Sequence, residues 1–140
     1  MNNWDGNGKE YNNEGSLTFE GEYINGERNG KGKEYNNGKL IFEGEYLKGY
    51  KNGKGKCYNE NGELIFEGEF LKDQKWKGKG KGKDYYLQKL IFEFEEVEYI
   101  NGKRNGRGKE YDINGKLIFE GEYLNGERVE KWKKIFIIIG

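Results

Sequence analysis

The 140-residue chain contains no proline, no histidine and no alanine, and a single residue each of cysteine, methionine, serine and threonine. Each shortage closes off an option. Without histidine, the commonest general base and the commonest metal ligand are missing. Ser16 and Thr18 have no partner base and no nucleophile-elbow context. Cys57 makes no internal disulfide, so nothing points to an oxidising compartment. No apolar run approaches the roughly 20 residues that span a bilayer, no basic-then-apolar leader is visible, and no Asn-x-Ser/Thr acceptor occurs. The expected address is the cytoplasm. Missing prolines leave strands uninterrupted, and missing alanines take away the best helix former.

Charge is abundant but balanced: 25 basic and 25 acidic residues, formal net charge zero, 36% of the chain. A neutral balance argues against a nucleic-acid binder, which carries a basic surplus. Leu, Ile, Val and Phe make up about 21% of the residues, close to the level of about 20% below which disorder is expected. Aromatics nevertheless reach 16% and stand at fixed phase, which a disordered polar chain has no reason to arrange. The reading is one ordered domain over residues 1–140 with a thin core.

Its organisation is a repeat. Lys39–Tyr58 is copied along the chain, with Phe19, Phe42, Phe66, Phe92 and Phe119 marking copies 23, 24, 26 and 27 residues apart. Gly-Lys-Gly-Lys-acid-Tyr recurs at Gly30–Tyr35, Gly80–Tyr85 and, with Arg107, Gly106–Tyr111. Leu40–Leu47 alternates with period two, placing Leu40, Phe42, Gly44 and Tyr46 on one face and Ile41, Glu43, Glu45 and Leu47 on the other. Asn-Gly pairs at 25–26, 37–38, 61–62, 101–102, 114–115 and 125–126 punctuate the pattern; both residues tolerate positive φ, so each pair predicts a tight hairpin turn. The expected fold is all-β, an antiparallel sheet of tandem hairpins. Glycine repeated at one strand phase needs a reason, and the reason is room: Phe42 and Tyr46 are expected to lie across Gly30 and Gly32. Lys31 and Lys33 then share the opposite face with Glu43 and Glu45, in cross-strand pairs worth roughly 0.2–1 kcal/mol each, which accounts for the charge balance without a ligand.

The segments F-E-G-E-Y-L-N-G-E-R and E-R-N-G-K-G-K-E-Y-N-N-G-K-L-I-F resemble MORN repeats, the membrane occupation and recognition nexus motif, over about residues 4–128 in roughly five copies. One departure is the Tyr that closes each Gly-Lys/Arg-Gly-Lys segment, after an acid at Tyr35, Tyr85 and Tyr111 and after Cys57 at Tyr58. The resemblance implies an elongated single-layer twisted sheet with an aromatic-lined concave groove, no catalytic activity, and a place in cytoskeletal or membrane-peripheral assemblies. MORN repeats also occur beside kinase and methyltransferase domains, but no catalytic sequence stands in this chain.

The ends read as capping segments at residues 1–11 and 129–140. Asn3–Tyr11 aligns on Glu27–Tyr35, and Glu130 and Trp132 stand where the repeat has glycines. Ile135–Ile139 is apolar and β-prone, a segment to be packed on the sheet, paired with a second copy or buried in a partner. Asp73–Glu98 is irregular, and its insertions are expected in loops on a binding face.

Few residues carry chemistry. Gly26–Lys31 is one residue short of a phosphate-binding loop and lacks its Ser/Thr. Glu43 and Glu45 read as salt-bridging strand residues, and Cys57 as a spare thiol in a slot held elsewhere by Glu34 and Glu110. No metal site and no cofactor is expected. Two surfaces remain. The expected groove carries Phe19, Tyr23, Phe42, Tyr46 and Phe66, continued by Phe70, Phe92, Tyr99, Phe119 and Tyr123. Aromatics make good anchors, and the expected partner is an extended or helical segment of another protein. Lys75, Trp76, Lys77, Lys79, Lys81 and Lys83 form a basic run whose expected ligand is an anionic phospholipid or phosphoinositide surface, at roughly 1 kcal/mol per basic residue.

Overall fold

The computed structural model describes residues 4–87 and 89–129. Among the described residues, eleven strands follow in chain order in one antiparallel sheet. They are β1 (Gly6–Tyr11), β2 (Leu17–Ile24), β3 (Glu27–Asn36), β4 (Lys39–Leu47), β5 (Tyr50–Tyr58), β6 (Leu64–Leu71), β7 (Gln74–Tyr86), β8 (Lys89–Ile100), β9 (Lys103–Tyr111), β10 (Leu117–Leu124) and β11 (Glu127–Arg128). The all-β hairpin architecture is the one expected. The chain divides into two compact units, Met1–Gly78 and Lys79–Gly140.

Two kinds of turn close the hairpins. Asn25-Gly26, Asn37-Gly38, Asn101-Gly102 and Asn125-Gly126 have positive φ at both residues, as do Lys48-Gly49 and Lys72-Asp73. These are the two-residue turns whose twist matches paired strands. At Asn61-Gly62 and Asn114-Gly115 only the glycine is left-handed, so the tight turn expected there is replaced by a longer loop. The side chains of Asn59 and Asp112 close these loops. Asn59 Oδ1 accepts the N–H groups of Asn61 and Glu63, and Asp112 Oδ1 those of Asn114 and Lys116. Asn12 does the same for Glu14 and Ser16. These are Asx turns.

In unit 1 the glycines stand in register across the sheet: Gly8 with Gly21, Gly21 with Gly32, Gly32 with Gly44, Gly44 with Gly55 and Gly55 with Gly68. The rings lie over this row. A Cβ on Gly32 would stand 2.6 Å from the Phe19 ring and 3.0 Å from Tyr46; one on Gly55 would stand 2.7 Å from Phe42 and 3.0 Å from Phe70. Tyr46 thus covers the expected glycine, whereas Phe42 covers the next one along. The rings meet edge to face: Phe19 and Tyr46 at 5.2 Å, Phe42 and Phe70 at 5.1 Å, Phe66 and Phe70 at 5.4 Å between centroids, the arrangement their quadrupoles favour.

Each repeat is also tied to the next through a bulge. At Gly30 and Gly53, φ is 93° and 103°, and the strand bends out of register with its neighbour. The residue before each glycine uses the bend. Asn29 Oδ1 accepts the Lys48 N–H, and Asn52 Oδ1 the Lys72 N–H. In unit 2, Asn105 Oδ1 accepts the Asn125 N–H. One residue earlier, the Arg28 and Arg104 carbonyls accept the turn N–H groups of Gly49 and Gly126. At the start of the chain, Asp5 Oδ1 and the Trp4 carbonyl hold Asn25 and Gly26 in the same way.

Unit 2 packs Phe94, Val97 and Tyr123 as its core, with Phe92, Tyr99 and Phe119 partly buried against them. Phe94 replaces the repeat's glycine, and a shift between Phe94 and Glu96 absorbs the extra length of β8. The insertions of Asp73–Glu98 therefore lengthen strands, to 13 residues in β7 and 12 in β8; they do not form the loops expected of them. Strand pairing satisfies the added backbone groups, which a loop would leave to solvent. The capping role of Glu130 and Trp132 and the fate of Ile135–Ile139 fall outside the described residues.

Candidate functional site

The predicted groove residues separate by burial. Phe19, Phe42, Tyr46, Phe66, Phe70 and Tyr123 are 0–5% exposed, and Tyr23, Phe92, Tyr99 and Phe119 are partly buried. Six of the ten rings are core, and the other four pack against it half-buried. Cations roof them as well. The Arg28 guanidinium sits 4.0 Å above Phe19, Lys51 Nζ 4.5 Å above Phe42, Lys75 Nζ 5.0 Å above Phe66, Arg104 4.6 Å above Phe92 and Arg128 4.9 Å above Phe119. A cation held over a ring face is attracted by its quadrupole.

A carboxylate anchors each of three such sites. Arg28 donates two hydrogen bonds to Glu10, at 2.8 and 2.9 Å, and Tyr23 Oη donates to the same carboxylate at 2.6 Å. Tyr46 Oη donates to Glu34 at 2.7 Å, with Lys51 Nζ 3.1 Å away. In unit 2, Arg128 donates twice to Glu110, which also accepts the Tyr123 hydroxyl. The hydrogen bonds from Arg28 and Arg128 hold the Glu10 and Glu110 carboxyls below the ordinary range. The Cys57 site breaks the pattern in a matched way: Cys57 takes the glutamate slot, and Phe70 takes the place of the tyrosine that would have donated to it. Burial pushes the thiol up, against Lys75 and Lys51, so it is little ionised at neutral pH.

This matching predicts coupling. Cys57→Glu and Phe70→Tyr together should be more stable than the sum of the single changes by about 1.5–3 kcal/mol, the usual contribution of a hydrogen bond to a charged group. Urea unfolding of the four proteins measures it, and additive effects would refute the matching.

The tyrosine hydroxyls also set an alkaline limit. Burial, then the bond to Glu10, pushes Tyr23 up to about 12. The bonds to Glu20 and Glu43 push Tyr35 and Tyr58 up to about 12. Folded values raised above the ordinary 10.0 mean stability that is complete below pH 10.0 and is lost as pH rises toward about 12, because the unfolded chain ionises first. Parallel phenolate-absorbance and circular-dichroism titrations should show unfolding and delayed ionisation together in that window; ionisation at the ordinary value in a folded chain would contradict it.

The open feature of unit 1 lies on the opposite face of the sheet, a groove of about 1100 Å³ across β1 to β5. Its floor is the backbone of Gly8, Gly21, Gly32, Gly44 and Gly55. Its walls alternate in charge: Lys9, Glu20, Lys33, Glu43 and Lys56 on one side, Lys31, Glu45 and Lys54 on the other. The register is as expected, with Lys33 opposite Glu43 and Lys31 opposite Glu45. The expected ion pairs at these two positions are not formed. Glu20 and Glu43 accept hydrogen bonds from Tyr35 and Tyr58 at 2.6 and 2.5 Å, and Glu45 accepts the Lys54 backbone N–H at 2.7 Å. Among the described residues, Lys9, Lys31, Lys33 and Lys54 make no ion pair, while Lys56 lies 3.8 Å from Glu67. The extra Tyr of each repeat is thus the sequence signal for a groove whose carboxylates are engaged and whose lysines are open.

The basic run is a strand. Lys77, Lys79, Lys81 and Lys83 alternate along β7 and are exposed, whereas Lys75 and Trp76 are partly buried; Lys83 lies 3.6 Å from Glu93. Among the described residues no group of three His, Cys, Asp or Glu is placed to hold a metal ion.

The family model of the MORN repeat matches residues 19–39, 42–63 and 98–116. The first two matches fall in unit 1 and the third in unit 2. No curated protein matches the chain.

Proposed function

The chain is a MORN repeat protein, and on that premise we propose that it is a non-catalytic scaffold in the cytoplasm, holding an extended segment of another protein. The carrying observation is the groove of unit 1, open on the face away from the buried rings. Strand spacings of about 4.8 Å make its span across five strands about 19 Å, room for roughly six extended residues. Every floor residue already lies in a strand ladder, so an occupant gains its hold from the walls. The test is selection of displayed random peptides against the whole protein, followed by amide NMR mapping of the binders. Shifts at Gly8, Gly21, Gly32, Gly44 and Gly55 are the expected result; binders that map elsewhere, or none at all, would overturn the reading.

A second reading rests on Lys79, Lys81 and Lys83, exposed at alternate positions of β7: peripheral attachment to anionic phospholipid. Co-sedimentation with phosphoinositide vesicles that persists at physiological salt, and is lost in Lys79→Glu/Lys81→Glu, would favour it over the scaffold.

A further inference from the structure

We infer that the groove of unit 1 is a selective site for an acidic segment in the polyproline II conformation, carrying a carboxylate at every third residue; the inference rests on the scaffold reading above. Three observations converge on it. The first is sign. The groove wall presents five lysines and three glutamates, and the glutamates are engaged by Tyr35, Tyr58 and the Lys54 backbone. Four of the lysines make no ion pair among the described residues. Neutral donors leave those carboxylates charged, but the lining residues still carry five positive charges against three negative ones, so the complementary occupant is anionic.

The second is spacing. Lys9, Lys33 and Lys56 stand on β1, β3 and β5, and Lys31 and Lys54 on β3 and β5. Lysines therefore recur every second strand, about 9.6 Å apart. A polyproline II helix rises about 3.1 Å per residue with three residues per turn, so positions i and i+3 lie on one side about 9.3 Å apart. In a β-strand the same two positions point to opposite sides, so a strand of this acidic pattern turns half its carboxylates away.

The third is shape. The lysines line a cleft, and a planar bilayer does not follow a concave wall, whereas a narrow extended chain does. Polyproline II also leaves its own backbone solvated, which suits a floor of glycines that already lie in paired strands.

The experiment is fluorescence anisotropy with the full chain and labelled (Glu-Pro-Pro)3, compared with a peptide of the same composition with its glutamates in one block, with (Gln-Pro-Pro)3 and with (Lys-Pro-Pro)3. Vesicles of phosphatidylserine and phosphatidylcholine serve as competitor. The spaced acidic peptide should bind about tenfold tighter than the blocked one, and its affinity should fall steeply between about 0.05 and about 0.5 M salt. Lys31→Glu/Lys54→Glu should lose it and gain (Lys-Pro-Pro)3; Lys31→Gln/Lys54→Gln, which keeps the side-chain stems, should weaken it without the gain. Equal binding of spaced and blocked peptides overturns the inference, as does competition by vesicles. If (Gln-Pro-Pro)3 binds as well and shifts the groove glycine amides, the acidic inference falls while the scaffold reading stands. If no peptide binds at low salt, the inference falls and the displayed-library selection decides the scaffold reading separately.

Discussion

Replacing Phe42 by alanine should cost unit 1 about 3–5 kcal/mol, the usual range for removing a fully buried ring. Phe42 is 1% exposed. It meets Tyr46 at 5.7 Å and Phe70 at 5.1 Å, carries Lys51 Nζ at 4.5 Å, and lies against Gly44 and Gly55. Among the described residues no second layer is at hand to collapse into the hole, because glycines floor the site and supply no side chain. Unit 1 has 78 residues, and at about 0.05–0.15 kcal/mol per residue its whole stability is about 4–12 kcal/mol. A loss of this size should lower its Tm by about 12 °C or more. Calorimetry checks it, with Leu47→Ala as the control. Leu47 is exposed, and its truncation should fall within about 0.5 kcal/mol of wild type. Similar losses in the two variants would mean that the aromatic row is not the core.

Gly44→Ala should cost about 3 kcal/mol, at the upper end of the range for overpacking. Intrinsic propensity points the other way, since glycine inside a strand is worse than alanine by roughly 0.5–1 kcal/mol. Geometry decides the sign. The added Cβ would stand 2.5 Å from the Lys54 carbonyl oxygen, 2.7 Å from the Gly55 Cα and 2.7 Å from the tip of Phe42. The ring can tilt; the neighbouring backbone moves only by opening β4 from β5. Gly38 gives the contrast. Its φ is 77° and a Cβ there meets nothing within 4 Å, so Gly38→Ala should cost only the left-handed penalty of about 1–2 kcal/mol. Urea unfolding of the two variants separates steric from conformational glycine, and a neutral Gly44→Ala would show that the row is not tightly packed.

Much of this was legible in the sequence because it depends on local periods. Phe and Tyr four residues apart with glycine between them place two rings and a gap on one strand face, whatever the fold around them. Asn-Gly between alternating segments names a tight hairpin turn, and it does so at four of the six pairs. The other two belong to Asx loops, and the signal lay two residues upstream, in Asn59 and Asp112. The bulge asparagines gave no comparable signal, because Asn29 bonds a turn nearly 20 residues away.

By itself, the sequence determined the repeat, the strands, the paired registers and which residues share a face, all consequences of a two-residue period and a copied unit. Tertiary structure decided which face is open. Composition makes the ring face the expected binding surface, yet Arg28, Lys51 and Lys75 fold over it, and rings from neighbouring strands meet edge to face and exclude water. On the other face, Tyr35 and Tyr58 draw Glu20 and Glu43 away from the lysines that the register puts opposite them. A one-dimensional pattern fixes which charges are neighbours; only the distances in three dimensions fix which of them are already answered.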